Sequence, residues 1–157
     1  LTLARSARPE RLSREPVDFG AIVADTSKEF VALAQQRHIE LKRDLQSAIV
    51  NGDERRLREL TRNLLDNALR HAQSAVTVAA RPSGRWVELE VSNDGQTVEP
   101  EMRERIFERF VSGNGAQRSG LGLPIVRWIA RAHGGTAFVR SGHGGAEFVV
   151  RLPIRSM

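Results

Sequence analysis

The sequence contains no cysteine and no tyrosine, and Lys28 and Lys42 are its only lysines. Without cysteine, the chain has no disulfide, no thiolate metal ligand and no thiol nucleophile. Its four histidines lack the spacing of a zinc site. No apolar run approaches the roughly 20 residues that a membrane-spanning helix needs. Disulfide scaffolds, thiol enzymes and zinc proteins are therefore excluded at the outset.

The composition is that of a single globular domain. The 157 residues are 40% apolar and 27% charged, which is enough apolar mass for a real core. The net charge of +5 raises the question of nucleic-acid binding, but the basic residues are spread among 19 acidic ones. Because no nucleic-acid motif is present either, we predict no nucleic-acid partner. The chain opens at Leu1, and we interpret it as a piece of a longer protein.

Apolar periodicity predicts long helices and short strands in separate blocks. The predicted long helices cover residues 18–36, 53–72 and 121–133, with a short helix at 100–109. Predicted strands cover residues 38–45, 75–81, 85–92, 136–141 and 146–152, and residues 48–50 are predicted to pair with the first of them. Blocks of this kind favour an α+β fold, a two-layer sandwich. We expect a mixed, mostly antiparallel sheet covered on one face by three long helices.

Two asparagines lie four residues apart in the second predicted helix. Asn63 and Asn67 stack one turn above the other, and Arg70 and His71 continue their row. Asparagine is a mediocre helix former, so two in a helix interior need a reason. One interpretation is a pair of solvent-facing amides. The other is a row of neutral ligands that holds Mg²⁺ together with phosphate. The apolar stripe beside them consists of Leu57, Leu60, Leu64 and Ala68.

Two glycine-bearing segments are further candidates for ligand contact. Asn93, Asp94 and Gly95 end a predicted strand, where a polar side chain beside glycine can reach a base edge. An ordinary Asx turn is the alternative. Residues 119–124 open the third long helix, where free N–H groups and the helix dipole favour phosphate. Neither segment is specific by itself.

Taken in chain order, these motifs resemble the nucleotide-binding boxes of the ATP-binding domain of sensor histidine kinases. The N, G1, F and G2 boxes correspond to residues 63–67, 93–95, 106–110 and 120–123. The lead-in at 16–18, the His133-Gly134-Gly135 segment and the hairpin at 141–152 are also similar to that family. The resemblance covers about residues 16–153.

The resemblance implies a Bergerat-type sandwich that binds ATP and Mg²⁺. It places Asn67 on the metal, Asn63 beside it on the phosphates and Arg70 where relatives have a lysine that reaches the phosphates. These three are the expected catalytic residues, and Ile106, Phe107 and Phe110 would brace a lid or simply pack in the core. The other expected nucleotide contacts are His71, Asn93, Asp94, Gly95, Val98, Gly120, Leu121, Gly122 and Leu123.

Three positions depart from the family pattern. Asn93 stands where relatives have the aspartate that reads adenine, so either Asn93 or Asp94 takes that role. Thr97 and Arg118 replace glycines of the G1 and G2 boxes. These departures motivate an alternative, a degenerate relative that serves as a binding or scaffold module without kinase activity.

Gyrase-like and mismatch-repair-like ATPases place a water-activating glutamate four residues before the metal-binding asparagine. Here that residue is Asn63, whose amide has no useful basicity. The resemblance therefore favours a domain that binds ATP without readily hydrolysing it. No histidine of the chain lies in a phosphoacceptor motif. We expect the γ-phosphate to pass to a histidine on a dimerisation domain that this chain does not contain.

The resemblance also implies a domain organisation and partners. Residues 1–15 resemble the end of a dimerisation helix and its linker, and residues 16–157 the catalytic domain. We expect the isolated domain to be a monomer and the parent kinase a homodimer that passes phosphate to a response regulator. The domain is expected to be cytoplasmic, in an inner-membrane sensor protein.

Overall fold

A computed structural model describes residues 11–95, 97–108, 122–142 and 144–155. Its helices are α1 (Phe19–Lys28), α2 (Val31–Gln36), α3 (Glu54–His71) and α4 (Gly122–Ala132). Its strands are β1 (Glu15–Asp18), β2 (Glu40–Leu45), β3 (Ile49–Gly52), β4 (Ala75–Ser83), β5 (Trp86–Asn93), β6 (Thr136–Ser141) and β7 (Ala146–Pro153). Two 3₁₀ turns cover Pro100–Met102 and Arg105–Phe107.

The main sheet has five strands in the order β2-β4-β5-β7-β6. Only β2 and β4 run parallel, and the other neighbours are antiparallel. Apolar side chains alternate along the strands: Val87, Leu89 and Val91 of β5 are fully buried with the helices in one core. The prediction of a mostly antiparallel sheet in a two-layer α+β sandwich is confirmed.

The other face of the sheet carries charged side chains, and none of the described helices covers it. Arg151 donates to Glu88 at 2.8 Å, and Arg140 donates to Glu147 at 2.9 Å. Glu90 joins the network through Arg140 at 3.1 Å. Opposite charges therefore face each other across neighbouring strands on this face, an arrangement that stabilises the sheet.

The first predicted helix is wrong as a single element, because the chain forms α1 and α2 with a break between them. At the break, Glu29 and Phe30 donate their N–H groups to carbonyls three residues back. This tightening ends α1 and restarts the helix in a new register, so that Ala34 is buried. The predicted strand start at His38 is also wrong. His38 has φ 58° and lies in the turn before β2.

Two further predictions are corrected by the fold. Residues 48–50 were expected to pair with β2, but β3 pairs antiparallel with β1 in a separate two-stranded sheet. Asp18 fixes this arrangement, since its carboxylate accepts from the Ala48 N–H at 3.0 Å and from the Ser47 hydroxyl at 2.6 Å. The predicted short helix at 100–109 is instead the pair of 3₁₀ turns.

Within the described ranges, no helix combines the length and the apolarity needed to cross a membrane. Those ranges also hold no group of three or more histidine, aspartate or glutamate side chains that would suit a metal ion. The division of the chain at residue 15 stays a prediction. β1 begins at Glu15, and the backbone N–H of Ser13 already donates to Asp53 at 2.9 Å.

Candidate functional site

Helix α3 positions the predicted asparagine row. Asp53 caps its start by accepting from the Arg56 N–H at 3.2 Å. The leucines of the apolar stripe are buried and fix the helix on the sheet. Asn67 is only 8% exposed at the edge of this stripe, and Asn63 is half-buried one turn earlier. No described group hydrogen-bonds to either side-chain amide, so both keep their donors and acceptors for another partner.

The start of α4 lies against the same row. A methyl group placed on Gly122 would sit 3.6 Å from Asn63 Oδ1, so the backbone at Gly122 faces that amide with no side chain between them. Leu123 turns into the core and is 8% exposed. Gly120 and Leu121 lie outside the described residues, as do Arg118 and Phe110.

At the end of β5, Asn93 is 5% exposed, and its Oδ1 accepts from the Gly95 N–H at 2.8 Å. This bond leaves the Asn93 Nδ2 group as a donor. Gly95 is pressed against the end of α3, since a Cβ there would overlap the carbonyl oxygen of His71. The G1 segment therefore contacts the helix that carries the asparagine row.

Asp94, the other candidate for contacting the adenine base, is already hydrogen-bonded within the protein. Its carboxylate accepts from the backbone N–H groups of Gln73 at 2.8 Å and Ser74 at 2.9 Å, and also from the Ser74 hydroxyl. The Ser74 hydroxyl and backbone N–H hold the pKa of Asp94 well below its usual range. Asp94 is thus an ionised group whose acceptors bind the loop between α3 and β4.

A cleft of about 520 Å³ opens at the C-terminal end of α3. Burial, and secondarily the charge of Arg70, lowers the pKa of His71, which keeps the imidazole neutral near pH 7. Arg70 pairs with Asp66 one turn back on the helix surface. The residues that line the cleft are Arg70, His71, Gln73, Asp94, Gly95 and Gly144.

The residues expected to brace a lid belong, where described, to the core. Phe107 is buried edge-on against Phe148, with ring centroids 6.3 Å apart, and the Arg127 guanidinium lies 4.2 Å above its ring. Ile106 and Val98 are partly buried against the same core. The sequence left two interpretations open for this segment, bracing a lid or packing in the core. The described side chains pack in the core.

Sequence reasoning missed two residues of the cleft wall. Gly144 belongs to a glycine-rich turn that the sequence marked only as a hairpin connection, and its φ of 82° favours glycine. The neighbouring Gly145 packs so closely that a Cβ would overlap the Asn93 carbonyl oxygen. Gln73 gave no signal at all, because its contribution is a backbone N–H at the end of α3.

Comparison with known proteins identifies the family of the chain. Residues 52–156 match the model of the family described as histidine kinase-, DNA gyrase B-, and HSP90-like ATPase. The sensor histidine kinase TrcS of Mycobacterium tuberculosis is 36% identical over 166 residues, which cover 98% of this chain and 32% of TrcS. CusS of Escherichia coli strain K12 is 37% identical over 131 residues, or 79% of this chain and 27% of CusS. The chain spans about a third of the length of these relatives.

Two solved structures are similar over nearly the whole chain. Full-length ShkA in complex with AMPPNP superposes with a TM-score of 0.85 at 31% identity, covering 98% of this chain and 34% of ShkA. The mycobacterial sensor histidine kinase MprB gives a TM-score of 0.79 at 28% identity, covering 92% of this chain and 99% of the MprB chain. The family predicted from the four boxes is therefore confirmed.

Proposed function

We propose that this chain binds Mg²⁺-ATP at the C-terminal end of α3 and donates the γ-phosphate to a protein histidine. The chain belongs to the histidine kinase-, DNA gyrase B-, and HSP90-like ATPase family. The observation that supports this proposal is that two glycine-bearing loops meet on α3. Gly122 lies beside Asn63, and Gly95 lies against His71, so glycines from two separate loops meet the polar row of one helix. Glycine at residue 95 lets the G1 backbone pack directly on α3, and glycine at residue 122 leaves the start of α4 facing the Asn63 amide without a side chain between them, where its N–H groups favour phosphate.

Asn67 and Asn63 fit a magnesium site. Amide oxygens are hard, neutral ligands, and Mg²⁺ prefers oxygen while keeping several waters and substrate phosphates. Neither amide is bonded within the described part of the chain, so their oxygens remain available. When bound, Mg²⁺ neutralises phosphate charge. Asn67 would hold the ion, with Asn63 next to it and the α4 start facing the phosphates.

The base is assigned to Asn93 rather than to Asp94. The Asp94 carboxylate is bonded through both oxygens to residues 73 and 74, whereas the Asn93 amide has Nδ2 left to donate. An adenine ring presents the acceptor N1 beside its N6 amino group, and an amide can match both. ShkA, solved with AMPPNP, supports a nucleotide as the ligand class.

The transfer itself needs little covalent chemistry from this domain, because positioning and charge neutralisation dominate phosphoryl transfer. In the proposed reaction, an imidazole nitrogen of the acceptor bonds to the γ-phosphorus, the bond to the β–γ bridging oxygen breaks, and ADP leaves. Asn63 cannot activate water as a carboxylate would. The site is thus suited to hold ATP until an acceptor histidine arrives.

The proposed setting is a two-component sensor kinase. The acceptor histidine would lie on a dimerisation domain, the parent protein would be a homodimer, and a response regulator would take the phosphate. The curated relatives TrcS and CusS are named as sensor histidine kinases and are about three times longer than this chain. We further propose a cytoplasmic position for the domain and a membrane-anchored parent.

Calorimetric titration of Mg²⁺-ATP tests the proposal. We expect micromolar-range binding by the wild-type chain, with affinity at least about tenfold weaker, or lost, in Asn67→Ala, because the metal ligand is removed. Asn51→Ala is the matched control, since Asn51 is an exposed asparagine on β3, and it should bind like wild type. Absence of binding by the wild type would contradict the proposal and favour a scaffold module.

Two activity assays separate the remaining alternatives. Mixing the domain with the dimerisation module of its parent should give phosphohistidine in the module, stable to base and labile to acid. A chain that binds ATP but never labels the module would overturn the kinase assignment. Steady Mg²⁺-dependent phosphate release by the domain alone would indicate a true ATPase.

A further inference from the structure

The Asp94 carboxylate joins two loops that are about 20 residues apart in sequence. It accepts from the N–H groups of Gln73 and Ser74 at 2.8 and 2.9 Å and from the Ser74 hydroxyl. The backbone N–H of Asp94 also donates to the Ala75 carbonyl at 3.2 Å. Asp94 therefore ties the turn that follows α3 to the end of β5, beside the pairing of Val76 with Asn93.

The residues on both sides of Asp94 are the ones placed at the nucleotide. Asn93 precedes it and is bonded to Gly95, which follows it, at 2.8 Å. Gly95 is in turn pressed against the His71 carbonyl. Asn93 is also paired with Val76 in the sheet. Loss of the Asp94 bonds would therefore act on the orientation of the Asn93 side chain and on the position of Gly95, which lines the cleft.

We propose that Asp94 is a positioning residue for nucleotide binding, which fixes Asn93 and Gly95 at the base without contacting the base itself. This inference rests on the proposed function. Each carboxylate oxygen accepts two bonds from residues 73 and 74, so the acceptor sites of the side chain are used within the protein. Charge-assisted bonds of this type are stronger than neutral ones, which suits a fixed wall.

The chain offers a matched control for this arrangement. Asp18 also accepts from a serine hydroxyl and two backbone N–H groups: Ser47 at 2.6 Å, Ala48 at 3.0 Å and Ala21 at 3.2 Å. It joins the start of α1 to the β2–β3 loop and does not line the cleft. Removal of either carboxylate should therefore cost similar stability, while only Asp94 should affect the nucleotide.

The experiment compares two ligands across three variants. For Asp94→Ala we expect Mg²⁺-ATP to bind about tenfold more weakly, while Mg²⁺-tripolyphosphate, which has no base, binds within about twofold of wild type. Asp94→Asn retains an acceptor for the Gln73 and Ser74 N–H groups and should restore ATP affinity to within about threefold. Asp18→Ala should leave both affinities unchanged. Thermal melts accompany each titration.

Several outcomes would overturn the inference. Asp94→Ala could bind ATP like wild type, or it could lose ATP and tripolyphosphate equally, which would indicate general loss of structure. If Asp94→Ala does not fold, Ser74→Ala serves instead, since it removes one donor, and unchanged ATP affinity there would count against the inference. Wild type that binds no ATP would defeat the proposed function itself, and the inference with it.

Discussion

The polar groups at the N-terminal end of helix α3 are hydrogen-bonded within the protein, whereas the asparagine amides further along the helix bond to none of the described residues. At the N-terminal end, Asp53 accepts from Ser13 and Arg56, and its own N–H donates to His133 Nε2 at 3.0 Å. In the C-terminal half, the amides of Asn63 and Asn67 have no partner among the residues that the structure describes. One helix thus has an end whose polar groups hold the fold, and a row of two asparagine amides that is left for a ligand.

The N-terminal end is also where the preceding segment is attached. Arg14 donates to the Ala132 carbonyl at the end of α4, next to His133. The buried His133 donates from Nδ1 to the Ile129 carbonyl at 2.8 Å, so its neutral ring bridges α4 to the cap of α3. Satisfied, buried groups of this kind stabilise a fold. Stability and binding should therefore separate along α3.

The largest expected effect is from His133→Ala at the structural end. The substitution leaves a cavity and strands the Asp53 N–H, so we expect a loss of about 2–4 kcal/mol in the free energy of unfolding. Urea denaturation at pH 7.5 measures it. His133→Gln, which can still accept from Asp53, should lose less. Affinity for Mg²⁺-ATP should stay within about twofold of wild type in whichever variant remains folded.

The loss of stability in His133→Ala should depend on pH. Burial lowers the pKa of His133, so the folded ring stays neutral while the unfolded chain takes up a proton below about pH 6.5. The unfolded state then holds more protons, and wild-type stability falls as the pH drops from about 7 toward the folded pKa. His133→Ala lacks this loss, so its deficit should narrow at pH 5.5. A constant deficit would contradict the neutral bridge.

The next largest effect comes from two substitutions on α3 that should change the free energy of unfolding in different directions. Asp53→Ala removes an N-cap and should cost about 1–2 kcal/mol of unfolding free energy. Asn63→Ala should leave stability unchanged or raise it by about 0.5 kcal/mol, because alanine is the better helix former. Saturating Mg²⁺-ATP should then stabilise Asp53→Ala but not Asn63→Ala in the same urea titration. Equal losses without nucleotide would show that Asn63 also holds the fold.

Much of the fold was predictable because its signals are local. The bounds of α3 follow from the Asp53 cap and a regular leucine stripe, and those of α4 from Gly122 and the glycine after His133. The break between α1 and α2 was not predictable, since neither proline nor glycine marks it. The pairing of β3 with β1 depends on Asp18 reaching Ala48, a contact across 30 residues.

For the site, the sequence identified the residues but not their bonds. The asparagine row was evident from spacing within one helix. The hydrogen bonds of Asp94 were not evident from the sequence. They require that the end of β5 lie beside the α3–β4 loop, and the pairing of β4 with β5 brings the two together. For the same reason, Gln73 and Gly144 could not be placed in the cleft in advance.

The smallest expected effect comes from two similar ion pairs on α3, one near each end. Asp66 pairs with Arg70, and Glu54 with Arg58, both at i,i+4 spacing, and Arg58 also pairs with Asp25 at 2.6 Å. Asp66→Ala and Glu54→Ala should each cost about 0.3–0.5 kcal/mol of stability. Only Asp66→Ala should tighten Mg²⁺-ATP binding, by about two- to threefold at low salt, because it frees Arg70 and removes a negative charge near the phosphates. Unchanged affinity in that variant would remove Arg70 from the proposed site.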